Sequence, residues 1–301
     1  MRRIRRGAAL EVIMASYAKR KKVKKRRSFR SVFLTVLICA VISVLIVAAM
    51  LYFIGLRYVS LDTADGTKVK FFGMVDSEGA PLRGKIVYSV GLIADVDRDR
   101  DTISYSDGSS YSGGLDGLLK SGQGKMYYAN GDIYEGEWSG DMINGYGVYS
   151  YVNGDVYEGD FVNNQKNGEG KYTWQDGSVY EGGFLNNLKH GKGLLTLASG
   201  DVYDGTYEND KKSGSGKYTW ANGDIYEGEY ADDVCSGKGV MKWANGETYE
   251  GEFKFNTFNG EGKYTWPSGR VYEGIFENGL IIRVDYDNGV GDEPDIVGDT
   301  K

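Results

Sequence analysis

Two kinds of hydrophobic patterning divide the chain. From Ser31 to Gly55 the run "SVFLTVLICAVISVLIVAAMLYFIG" carries no charge. The 24 residues Ser31 to Ile54 extend about 36 Å as a helix at ~1.5 Å per residue, and a hydrocarbon core is about 30 Å thick. A tilted transmembrane helix is predicted over 31–55. A cleaved signal peptide has a shorter apolar region and a small-residue cleavage site. Neither is found here, so the reading is an uncleaved signal-anchor. Further along, the pattern alternates instead. In "GKYTWANGDIYEGEY" (Gly216 to Tyr230), Gly216, Tyr218 and Trp220 share one face, and so do Tyr226, Gly228 and Tyr230. These are two short strands. A two-residue Asn-Gly loop would put Tyr226 on the wrong face. A three-residue loop, Ala221-Asn222-Gly223, pairs Tyr218 with Tyr226 and Gly216 with Gly228. Such loops end on a left-handed residue, usually Gly.

The same unit recurs every 23 residues. "YEGEW" at Tyr134 is followed by "YEGDF" at Tyr157, "YEGGF" at Tyr180, "YDGTY" at Tyr203, "YEGEY" at Tyr226, "YEGEF" at Tyr249 and "YEGIF" at Tyr272, and is preceded by "YSGGL" at Tyr111. Large side chains line up in columns: Trp138, Phe161, Phe184, Tyr207, Tyr230, Phe253 and Phe276 in one, and Tyr128, Tyr151, Trp174, Leu197, Trp220, Trp243 and Trp266 in another. Gly136 and its equivalents are expected to make room for neighbouring rings. One copy cannot bury enough surface to fold alone, so copies must stack. An inserted residue would flip a strand's faces, which explains the constant step.

On these residues the chain resembles MORN repeats (membrane occupation and recognition nexus), whose pattern is Y-x-G-x-W/F followed by G-x-G. Seven copies match both halves, from Tyr111 to about Trp266. The eighth, at Tyr272, lacks the second glycine pair. The resemblance implies an all-β repeat fold: an elongated, twisted antiparallel sheet of stacked β-hairpins, here preceded by one transmembrane α-helix. It also implies scaffolding, self-association or membrane-proximal binding. No attached kinase or methyltransferase domain is expected in the 25 residues after Phe276. Residues 57–110 depart from the pattern, although "GKIVYS" and "DTISYSDG" echo its second strand. They read as a degenerate β capping region. The repeats are expected over 111–284, and 285–301 as an acidic disordered tail.

Charge separates the two ends. Residues 1–30 hold 13 of the 36 Lys/Arg and one of the 42 Asp/Glu. The rest holds 23 against 41, a balance of −18. The cluster Lys19 to Arg27 abuts the apolar run, so 1–30 reads as a basic cytoplasmic tail and the repeats as extracytoplasmic. Contact of that tail with anionic lipid follows from the topology, whereas the acidic body would repel such lipid. Met14 is an alternative start. Cys39 lies in the apolar run and Cys235 is single outside it, so no intrachain disulfide is expected there.

Little else in the chain carries chemistry. His190, the one histidine, falls in a column otherwise filled by Ser or Asn and reads as a turn residue. "DVDRDRD" (Asp95 to Asp101) has neither the Gly nor the Glu that a calcium loop needs. The column Glu135, Glu158, Glu181, Glu227, Glu250 and Glu273 is expected to face Lys171, Lys217 and Lys263 on a solvated side. No cofactor, metal or nucleic acid is expected and no enzyme is read. The leading expectation is a single-pass cell-envelope scaffold for an unknown protein partner or for homo-oligomerisation, in a chain whose organisation looks bacterial. The alternative is a module binding cell-wall or surface glycan on exposed aromatics, with Trp138, Trp174, Trp220, Trp243 and Trp266 as the interaction or stacking face.

Overall fold

The computed structural model describes residues 4–62 and 68–289. It consists of one helix and one sheet. Helix α1 spans Ile4–Phe53 and runs unbroken through the boundary between the basic tail and the apolar run. Its segment Arg30–Phe53 has a mean hydropathy of 3.1 and no residue buried by the rest of the chain, so it is long and apolar enough to cross a membrane. Gly55, at φ 84°, turns the chain out of the helix.

All the strands form a single antiparallel sheet that does not close. The first five are β1 (Leu56–Asp62), β2 (Lys68–Val75), β3 (Pro81–Val87), β4 (Ile93–Asp97) and β5 (Thr102–Tyr105). Sixteen more follow, from β6 (Ser110–Asp116) and β7 (Leu119–Tyr127) to β20 (Val271–Glu277) and β21 (Leu280–Asp287). Each strand pairs with its neighbours in sequence. Among the described residues, β1 pairs only with β2 and β21 only with β20. At ~4.8 Å per strand the sheet extends about 100 Å along its hydrogen-bonding direction.

The three-residue loop forms as expected. Between β15 (Lys211–Thr219) and β16 (Ile225–Ala231), Gly216 pairs Gly228 and Tyr218 pairs Tyr226. The Trp220 amide donates to Asp224 O at 2.9 Å, and Gly223 has φ 96°. The other connection is a two-residue type I′ turn. Asp232 and Asp233 lie at φ 50° and 70°, as do the Asn and Asp residues that fill the equivalent places. The glycine pairs, such as Gly214 and Gly216, lie within the strands. There a bulge sets Thr206 alone against Ser213–Ser215. His190 belongs to this bulged segment of β13 (Leu188–Thr196), so it is a strand residue rather than a turn residue.

Two boundaries change. Residues 285–287 belong to β21, so the acidic tail begins later than expected; 290–301 lie outside the described residues. Within 57–110, β2 and β3 form a hairpin that shares the repeat's ring and glycine pair, although its bulge leaves only Leu82 over and residues 76–80 replace the two-residue turn. Phe71 takes the Tyr position, and Gly73 pairs with Gly84. Phe had hidden this copy.

Candidate interaction surface

The repeat motif becomes physical on one face of the sheet. The Tyr134 ring lies over the glycine pair Gly136 and Gly147. A Cβ on Gly147 would come 2.4 Å from Tyr134 Oη and 2.6 Å from the ring carbons. That crowding is why both positions are glycine, and it extends the expected role of Gly136. The Tyr134 hydroxyl then donates at 3.0 Å to the carbonyl of Glu137, the residue that the bulge leaves without a partner on the next strand. Tyr111, Tyr157, Tyr180, Tyr203, Tyr226 and Tyr249 make the same bond at 2.9–3.1 Å. The spacing Y-x-G-x-W/F thus places a ring over a bare backbone, and its hydroxyl satisfies a carbonyl that would otherwise be orphaned.

These rings form a continuous inner row. From Tyr134 to Tyr249, each Tyr meets the aromatic ring four residues on and the one in the next copy, edge to face; Tyr111, with Leu115 four residues on, meets only Trp138. Fourteen rings from Tyr111 to Phe276 join in this way, at centroid distances of 4.9–5.4 Å and interplanar angles of 80–89°. Such contacts contribute about 0.5–1.5 kcal/mol each beyond area burial. The seven tyrosines are at most 1 % exposed. Burial raises their hydroxyl pKa values, in the case of Tyr111 to about 12.

An outer row lies nearer the three-residue loops and is half-buried. There Tyr149 meets Tyr151 at 4.5 Å, Tyr172 meets Trp174 at 4.8 Å, Tyr218 meets Trp220 at 4.6 Å and Tyr264 meets Trp266 at 4.5 Å. Leu195 and Leu197 interrupt it. A carboxylate ladder braces this row. Asp155 Oδ1 accepts from the Gln175 amide at 2.9 Å and Oδ2 from Tyr172 Oη at 2.8 Å; Asp132 and Asp201 repeat the pattern. The Gln175 amide and then the Tyr172 hydroxyl hold the Asp155 carboxyl below its ordinary range.

Lysines cap the aromatics. Lys166 Nζ lies 4.6 Å from the Tyr172 centroid and 5.4 Å from Tyr157, and Lys212 repeats this over Tyr218 at 4.6 Å and Tyr203 at 5.2 Å. Lys189 Nζ lies 5.1 Å from the Tyr207 ring. Burial lowers the pKa of Lys166 and Lys212. The row of Lys120, Lys166, Lys189 and Lys212 escaped the sequence reading, although its members share the 23-residue column that Ile143 and Cys235 also occupy.

Of the five tryptophans read as a face, four are brought into the outer row: Trp174, Trp220, Trp243 and Trp266, each half-buried. Trp138 stands apart in the inner row, 5 % exposed, with its Nε1 donating to Gly124 O at 3.2 Å. On the opposite face, Glu–Lys pairing forms across strands: Lys171–Glu181 at 2.7 Å, Lys263–Glu273 at 2.8 Å and, beyond the expected column, Lys125–Glu135 at 2.8 Å. These pairs are solvated and contribute little.

The model of the MORN repeat family matches residues 119–133, 134–156, 157–179, 180–202, 203–225, 226–248 and 249–269. No curated protein matches. Among solved structures, the chain is similar to the TCP10 domain of Danio rerio CPAP, solved with a peptide of Danio rerio STIL. That match has 14 % identity and a TM-score of 0.40, and covers 77 % of this chain and 99 % of that one. The SAS-4 TCP domain of Drosophila melanogaster, solved with a proline-rich motif of Ana2, matches at 13 % identity and a TM-score of 0.27, over 73 % and 90 %. Virginiamycin B lyase from Staphylococcus aureus matches at 14 % identity and a TM-score of 0.15, over 74 % and 70 %. Likenesses this distant carry nothing about what this chain does.

Proposed function

Since this chain belongs to the MORN repeat family, we propose that it is a non-enzymatic scaffold. Its single N-terminal span anchors a β-repeat body, which binds a protein partner or a second copy. The observation that carries this reading is the long open face, where a half-buried aromatic row and a lysine row repeat at one step along a sheet with two unpaired edges. Such a surface presents similar chemistry at regular intervals. The basic run before the span supports a cytoplasmic tail over 1–30, with the sheet on the far side of a cell membrane. Residues 57–110 then cap the repeats of 111–284. The test is light scattering on the detergent-solubilised full chain, with crosslinking and pull-down from membrane extracts and cysteine-accessibility mapping of Cys39 against Cys235. A monomer that retains no partner sinks the scaffold, and a body on the cytoplasmic side sinks the topology.

A second reading is supported by the line of Trp174, Trp220, Trp243 and Trp266, whose partly open rings offer stacking faces for a glycan. Binding of cell-wall polysaccharide that disappears in Trp220→Ala and Trp243→Ala supports it. No retention by polysaccharide removes it.

A further inference from the structure

The aromatic face opens into a hollow near its start. Where β3 and β4 meet the first repeats, a hollow of about 440 Å³ opens between Tyr88, Tyr105 and Tyr128. Its origin can be read from the repeat itself. Tyr88, Tyr105 and Tyr128 each begin a three-residue loop closed by Gly91, Gly108 and Gly131. Tyr105 to Tyr128 is the usual step of 23, but Tyr88 to Tyr105 is only 17, because the β4–β5 hairpin is cut short. In three later copies the space beneath such rings is filled by a carboxylate and a tyrosine: Asp132 with Tyr149, Asp155 with Tyr172 and Asp201 with Tyr218. Here the corresponding residues are Ser109 and Met126. Both are buried and both are smaller.

The walls and rim define what fits. Three phenol rings and Met126 supply apolar faces. Tyr88 and Tyr105 stay protonated, since burial raises both pKa values. Lys120 Nζ donates to Tyr105 Oη at 3.3 Å and lies 3.2 Å from Asp141 Oδ1, with its side chain 12 % exposed. Lys120 and Asp141 offset each other's charge. Asp107 disfavours an anionic guest. The Ser109 amide and hydroxyl both donate to Asp107 Oδ1, at 2.9 and 2.6 Å. Those bonds hold Asp107 ionised and leave Oδ2 to accept from a guest. A neutral ring with apolar C–H faces and hydroxyls at its edge meets all of these conditions.

The geometry points to a binding pocket for one neutral hexopyranose unit, stacked against the rings of Tyr88, Tyr105 and Tyr128 with its hydroxyls on Asp107 and Tyr105. The site is separate from the tryptophan row and does not depend on it. The test uses the full chain in a detergent without a sugar headgroup, titrated with glucose, galactose, mannose and N-acetylglucosamine and followed by saturation-transfer NMR. Glucuronate, choline and a proline-rich peptide serve as controls. At least one neutral sugar is expected to bind saturably, in the millimolar range. The variant Ser109→Asp with Met126→Tyr rebuilds the filled arrangement of Asp132 with Tyr149. It is expected to unfold no earlier than the parent and to bind about tenfold more weakly or worse. Tyr88→Leu, which removes a wall without filling the space, is expected to weaken binding as well, whereas Trp243→Ala leaves it unchanged. The proposal is overturned by saturation with none of the neutral sugars, by binding of the controls alone, or by unchanged binding in the filled variant. Loss of binding in Trp243→Ala with the filled variant unaffected would move the sugar to the tryptophan row and overturn it too.

Discussion

Two stretches of one sheet bury the same face in different ways. In β2 to β5 the core is mostly aliphatic: Val69, Ile86, Ala94, Val96 and Ile103 are all buried, around one ring, Phe71. From β6 onward it is a chain of rings, each wedged between two others. The backbone device is shared, since Phe71 lies over Gly73 and Gly84 as Tyr134 lies over Gly136 and Gly147. What differs is tolerance of irregular spacing. Aliphatic packing is non-directional, and in that stretch one hairpin is six residues short. Edge-to-face contacts need a fixed offset and angle, and in the ring stretch every step is 23. The strict repeat is therefore a requirement of the rings rather than of the sheet.

The contrast can be broken most severely with alkali. Burial, then the nearby Asp141 and Asp101, push the Tyr111 hydroxyl up to about 12, whereas an unfolded phenol ionises near ~10. The folded state keeps a proton that the unfolded state releases. Stability from these groups is full below the unfolded value and is lost as pH rises through the folded one. Hydrogen exchange at rising pH is expected to show the ring-built strands opening before the Phe71 hairpin; simultaneous opening would erase the distinction. Next in size, Tyr180→Ala removes two edge contacts and the bond to Gly183 O. It is expected to cost about 3–5 kcal/mol in denaturant unfolding, against about 2 for Val96→Ala. Equal costs would mean that the rings are merely bulk.

Smaller changes sharpen the comparison. Gly170→Ala places a Cβ 2.4 Å from Tyr157 Oη and is expected to destabilise by about 1–3 kcal/mol; Gly79→Gln, where space is open but φ is 89°, probes backbone strain alone. Tyr157→Phe frees the Asp160 carbonyl at a cost of about 1 kcal/mol. A midpoint that does not move would show that water replaces the hydroxyl. The smallest effect concerns Phe255, which is 73 % exposed at φ 49° in a turn position that other copies fill with Asn, Asp or Gly. Phe255→Asn is expected to raise stability by about 1 kcal/mol. A drop in melting temperature would mean that the ring has an unseen contact.

Much of the fold was legible because alternation and step are one-dimensional. The pairing of Trp220 with Asp224, the face shared by Tyr218 and Tyr226, the glycines under the rings and the apolar run before the sheet all follow from spacing along the chain. The lysine row, the Asp155 ladder and the bond from Tyr134 to Glu137 O were not legible. The lysine row and the ladder join groups in different strands, and the Tyr134 bond exists only because the bulge leaves Glu137 unpaired; the bulge's local mark, the first glycine of each pair, such as Gly214 at φ 67°, does not say which groups will meet.

By itself, then, the order of residues determined the hairpin, its register and its number of copies, since side chains alternate strictly with backbone direction. Only the tertiary structure decided that Phe71 acts as a repeat tyrosine and that β21 reaches Asp287. It also decided that Ser109 and Met126 leave a hollow where Asp132 and Tyr149 fill the next copy. Those outcomes depend on what each ring finds across the sheet, and two residues far apart in sequence meet there only after the chain has folded.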